Sequence, residues 1–157
     1  MLKRLGVVGA VVAVAALAVG SVGPATGSAG ADRHGHDRDK IRVLSTITEE
    51  AFIDVGEDDF SLGDMFVFTS KLTKHGKKVG HAGVVCTITS VKREESQCLG
   101  TAKLRHGQIT VQGLVGDDDV FALAITGGTG AFEGAGGTLV VKEISDTKEI
   151  LTFHILH

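Results

Sequence analysis

The chain has 157 residues and an acidic balance, 19 Asp and Glu against 16 Lys and Arg, with seven Phe and neither Trp nor Tyr. Clustered basic residues, which a phosphate backbone requires, are missing, and so are the large rings on which bases stack, so a nucleic-acid partner is excluded. The length suits one domain with one core.

Residues 1–31 read as a signal peptide. Lys3 and Arg4 precede an apolar run from Leu5 to Val19, and Ala29-Gly30-Ala31 supplies a small-residue cleavage pattern. The run is too short for a good membrane span. The mature protein is expected to begin near Asp32 and to be secreted, with no membrane contact after cleavage. It keeps 14 bases against 19 acids, a net charge near −5. The two cysteines of such an exported chain predict one disulfide, Cys86 to Cys98.

Residues 32–40, "DRHGHDRDK", carry no apolar periodicity and read as a disordered charged leader. Cleavage after Ala31 would place His34 third from a free amine, a square-planar Cu(II) chelate. A solvated tail is the plainer reading of this segment.

From Ile41 to the end, short runs rich in Val, Ile and Thr alternate with turn residues. Strands are expected at about 41–54, 64–73, 78–90, 95–104, 108–115, 119–126, 137–145 and 149–156. No stretch holds a sustained 3.6-residue apolar period, so an antiparallel sandwich or barrel of eight strands is expected. In the segment "VFALAI" (120–125) both faces are apolar. A sheet with one wet face shows this only where something covers the outside, which points to self-association.

The block "AITGGTGAFEGAGG" (124–137) invites comparison with a dinucleotide loop. That fingerprint needs a helix directly after its glycines, and a glycine where Glu133 stands. Strand-type residues, Thr138-Leu139-Val140-Val141, follow instead. The nucleotide reading fails, and the glycines serve positive φ or a close approach of strands.

The ordered blocks "SLGD" (61–64), "FTSKL" (68–72), "KKVG" (77–80), "AGVVC" (82–86), "ITVQG" (109–113) and "AITGGTGAFEGAGG" resemble the allene oxide cyclase family and its dirigent relatives. The resemblance covers about residues 50–157. It implies an eight-stranded antiparallel β-barrel over 41–157 with Gly127, Gly128, Gly130, Gly134 and Gly137 as its structural glycine motif. It also implies a homo-oligomer, a trimer by resemblance with a dimer as the alternative, and chemistry that uses no cofactor. The plant cyclases of this family close an unsaturated fatty-acid epoxide into a cyclopentenone. Their polar first-strand pair falls near Ile41 and Val43 here, a pocket asparagine falls at Ser70, and a pocket proline falls near Glu50. The pocket cysteine is kept as Cys86, but in a simple hairpin it faces Cys98, and a bridged cysteine is no nucleophile. Gly136 stands where many relatives carry arginine. These departures count against the plant reaction itself.

The remaining candidates are acidic and aromatic. Glu49 and Glu50 point to opposite faces of the first strand, so one of them enters a barrel, and Asp54 shares the face of Glu50. A carboxylate in an apolar cavity would have a raised pKa and could move a proton. An acidic strand end running into solvent is the competing reading. Phe66, Phe68, Ser70 and Leu72 are expected to line a ligand pocket or to fill the core. The histidines show no metal-ligand spacing, and Asp117-Asp118-Asp119 reads as a solvated turn, so no metal site is expected. Two functions follow. The first is a cofactor-free cyclase or isomerase acting on a small hydrophobic compound; the second is a non-catalytic exported barrel that binds such a compound or acts by self-association.

Overall fold

The computed structural model describes residues 38–56 and 60–157. The expected signal peptide and leader residues 32–37, including the His34 chelate, lie outside them. The strands are β1 (Arg38–Ile53), β2 (Met65–Lys74), β3 (Lys77–Ser90), β4 (Glu95–Leu104), β5 (Gly107–Val115), β6 (Val120–Gly130), β7 (Gly136–Ser145) and β8 (Lys148–Leu156). Each pairs antiparallel with the next, and β1 pairs with β8, so the sheet closes into a barrel and the sandwich alternative is set aside.

Two strands exceed their expected bounds by more than one residue. β1 begins at Arg38, so the last leader residues are paired, Asp39 with Ile155 and Lys40 with His154. Backbone groups make that ladder, and the side chains of Asp39 and Lys40 stay exposed, so charge is no obstacle. β6 continues through the glycine cluster to Gly130, pairing Gly128 with Ile109 and Gly130 with Gly107. A Cβ at Gly128 would collide with the carbonyl oxygens of Phe132 and Gln108. Gly130 sits at φ 63, in the left-handed region that favours glycine. Both devices expected of these glycines are therefore used, and they let the 131–135 turn fold back over one end of the barrel.

That end is a solid plug. Val43, Leu72, Ile109 and Ile155 are buried, and Ile41, Val79, Leu104 and Phe132 pack against them. The strand pattern explains it: β8 alternates buried Leu151, Phe153 and Ile155 with less buried Thr152, His154 and Leu156. The opposite end, where β1 leads to β2, β3 to β4, β5 to β6 and β7 to β8, stays open.

The β1–β2 connection at the open end is held by Asp64, which is fully buried. Its carboxylate accepts hydrogen bonds from Val55 N (2.9 Å), Ser61 N (2.6 Å) and Ser61 Oγ (3.0 Å). The Val55 and Ser61 amides outweigh desolvation and hold the carboxyl below its ordinary value of 3.8. Asp64 O also accepts from Ile88 N at 2.8 Å, tying the loop to β3. Across the β3–β4 hairpin Cys86 pairs with Cys98, and the expected disulfide joins them with Cα atoms 4.0 Å apart.

Two measurements test this frame. Replacing both cysteines by alanine is expected to lower unfolding free energy by about 3 kcal/mol, the loop-entropy value for so short a loop, read from denaturant titration. Asp64→Asn is expected to lower Tm at pH 7 and to flatten the acid limb of a Tm-against-pH curve. A depressed folded pKa stabilises above the unfolded value and is lost as pH falls below about 3.8 through the folded value. An unchanged acid limb in the variant would remove Asp64 as the latch.

Candidate functional site

Above the plug the barrel encloses a cavity of about 360 Å³ that opens at the β1–β2 end. This lies within the range of small-ligand sites, roughly 300–1,000 Å³. Its walls are the inward residues of successive strands, among them Ile47, Phe68, Val84, Val111, Leu123 and Leu139. Phe153, only 1% exposed, also lines it.

A bulge decides which first-strand acid enters. Ile47 pairs with Ser70 and Glu49 with Thr69, so Thr48 is the extra residue, its Oγ1 3.3 Å from Thr69 O. Up to Ile47 the inward positions of β1 are odd-numbered; beyond the bulge they are even. Glu50 therefore turns to the cavity opposite Phe68, and Glu49 faces out. Asp54 lies in the loop, where its Oδ1 accepts from Gly56 N at 3.0 Å. Phe66, Phe68 and Ser70 line the cavity. Leu72 is fully buried in the plug below it. The Cys86–Cys98 bridge forms part of the wall, so neither sulfur is a free thiol. Ile41 and Val43 lie at the other end, around a smaller hollow of about 170 Å³. The β1 side chain that brings a hydroxyl to the main cavity is Ser45, which is 1% exposed.

The strongest chemistry comes from residues the sequence reading did not single out. Glu143 on β7 and Glu149 on β8 are directly opposite one another, and both line the cavity. Burial raises the pKa of Glu149 most; the facing Glu143 adds to the rise, and a hydrogen bond donated by the Ser45 hydroxyl opposes it. Glu143 is raised by burial first, then by Asp119, Asp117 and Asp146. The Asp117–Asp119 turn is thus exposed, as expected, but it loads negative potential onto the cavity mouth. A signal for the pair was present: Glu149 continues the inward series Leu151, Phe153, Ile155, and Glu143 continues Leu139, Val141. Acids that close an apolar alternation stand where the core meets the opening.

An acid that stays partly protonated above its ordinary range, facing an apolar space, can act as general acid and base toward a bound molecule. Among the described residues no group of three or more His, Cys, Asp or Glu is arranged to hold a metal ion.

Residues 42–156 match the family described as allene oxide cyclase barrel like domain. Among solved structures the chain is similar to a pyocyanin demethylase, with 30% identity and a TM-score of 0.65 over 72% of this chain and 98% of that one. It shares its fold with a pterocarpan synthase dirigent protein, at 18% identity and a TM-score of 0.63 over 76% of this chain and 95% of that one. The same holds for AbnU, an exo-specific intermolecular Diels-Alderase, at 13% identity and a TM-score of 0.60 over 75% of this chain and 97% of that one. A closed eight-stranded barrel and a family match across nearly all of it lead to one conclusion: the chain belongs to the allene oxide cyclase barrel-like family.

Proposed function

We propose that this protein, exported from the cell, takes a small and mainly apolar molecule into its barrel and acts on it as a cofactor-free cyclase or isomerase. The observation that carries the reading is the Glu143–Glu149 pair, set with Ser45 in the wall of an otherwise apolar 360 Å³ cavity. Cyclisation and isomerisation need a proton moved and a reactive shape enforced, and neither requires a cofactor. Glu149 is the proton carrier in this scheme, positioned by Ser45, and burial, with the facing Glu143 adding to it, keeps its affinity for the proton high. The related structures support a fold that hosts several chemistries, since they are named for demethylation, dirigent activity and a Diels-Alder reaction. The plant cyclopentenone reaction is disfavoured, because aliphatic Ile41 and Val43 stand where the family's polar pair is counted and lie away from the main cavity.

Self-association belongs to the same reading. On the outer wall Val85 and Leu99 are paired across β3 and β4, and Leu99 and Leu114 are 56% and 54% exposed. The outward residues of the "VFALAI" segment, Val120, Ala122 and Ala124, are exposed as well. A second copy covering this wall would remove the apolar surface from water. Sedimentation equilibrium is expected to show an oligomer, and Leu99→Lys with Leu114→Lys to give a monomer; a wild-type monomer at tens of micromolar would end this part of the proposal.

The catalytic part is tested by binding and turnover together. The neutral dye N-phenyl-1-naphthylamine should bind with enhanced fluorescence, and a screen of small epoxides and unsaturated ketones should yield turnover. Glu149→Gln should cost about 10²-fold or more in rate. Failure of the dye to bind would sink the cavity reading; dye binding without turnover across the screen would leave the non-catalytic binding barrel.

Glu149 also makes a stability prediction. Its raised folded pKa means that the stability gained by protonation is fully present below about 4.5, the ordinary value, and is lost as pH rises through the folded value. Glu149→Gln is therefore expected to raise Tm at pH 7 and to leave it nearly unchanged at pH 4. A lower Tm at pH 7 would show that the Ser45 hydrogen bond outweighs burial.

A further inference from the structure

The charge of the cavity is one-sided. Its lining includes five carboxylates, Glu50, Glu94, Glu143, Asp146 and Glu149, and no Lys, Arg or His. Among the described residues the ion pairs are Arg93 with Glu95 and His157 with Asp39, neither of them with a cavity carboxylate. Like charges directly opposite on neighbouring strands oppose folding, yet Glu143 and Glu149 face each other on the inner wall. Asp117 and Asp119 deepen the negative potential beside them. Deeper in, Ser70 is 3% exposed and lines the cavity. Its hydroxyl can donate to or accept from a polar atom of a molecule that fills the space.

Resting on the cavity reading above, we propose that the ligand is a cationic amphiphile: an apolar body with an ammonium or protonated ring nitrogen. The positive group sits between Glu143 and Glu149, relieving their mutual repulsion, while the body fills the apolar walls and a polar atom of it meets Ser70. The mouth suits such a guest. Phe66 lines the cavity and is in contact with Phe52 and Phe60, with ring centroids 4.9 and 6.4 Å away, and aromatic faces attract cations. An anionic amphiphile of the same shape would enter against the field of every charged group in the lining. Negative walls of low dielectric also concentrate cations at the opening, an effect that salt weakens.

The test displaces bound N-phenyl-1-naphthylamine from the full chain with three guests of equal length, decylammonium, decanol and decanoate. Decylammonium is expected to displace at least about 10-fold more tightly than decanol at low salt, with decanoate weakest. The gap should narrow in 0.5 M salt and again in Glu143→Gln with Glu149→Gln. Ser70→Ala should weaken decanol, whose hydroxyl otherwise meets it. Dye that never binds overturns the cavity reading and this inference with it. Bound dye displaced equally by decylammonium and decanol, or best by decanoate, overturns the cationic ligand alone. The salt comparison on the wild type decides the matter even where a variant fails to fold.

Discussion

The pairing of β1 with β8 is the constraint on which everything else depends. An open eight-stranded meander would have two faces and two edges; closing it removes the edges and creates an inside. Strand alternation then divides every side chain between lumen and exterior. A barrel of this strand number is just wide enough for side chains to fill it or for one small ligand. This chain does both. Aliphatic residues and the folded-back 131–135 turn fill one half, and shorter or polar inward residues such as Ser45, Ser70, Ala82 and Gly100 leave the other half hollow.

The hollow half is built against the stability of the fold. Two facing carboxylates and a run of aspartates at the rim each oppose folding. The plug, the disulfide and the Asp64 latch surround that region and offset it. The distribution is informative: the closed end is apolar, and the like charges gather at the open end. Like charges held around one shared apolar space are what a binding site looks like before its ligand arrives.

Much of the fold was legible because it rests on local signals. Eight runs of Val, Ile and Thr separated by turn residues gave eight strands, and the strand chemistry after Gly130 correctly ruled out a helix. The cysteines straddling a short turn gave the bridge. Phe66, Phe68 and Ser70 reached the cavity because they alternate along one uninterrupted strand. Leu72 obeys the same alternation, yet it lies one step deeper, where the plug begins, and only the packing of Ile109 and Ile155 around it says so.

The candidate acids show where local reasoning stops. Whether Glu49 or Glu50 faces inward depends on one extra residue at Thr48, and a bulge leaves no trace in composition. Glu143 and Glu149 are ordinary acids at the ends of two strands until β7 and β8 are placed in register, which makes them face each other. The sequence by itself determined the strands, their order and the bridge, because hydrophobic period and turn chemistry act over a few residues. The tertiary structure alone decided which acids share the lumen and which end stays hollow, because register, bulge and closure set distances between residues far apart in the chain.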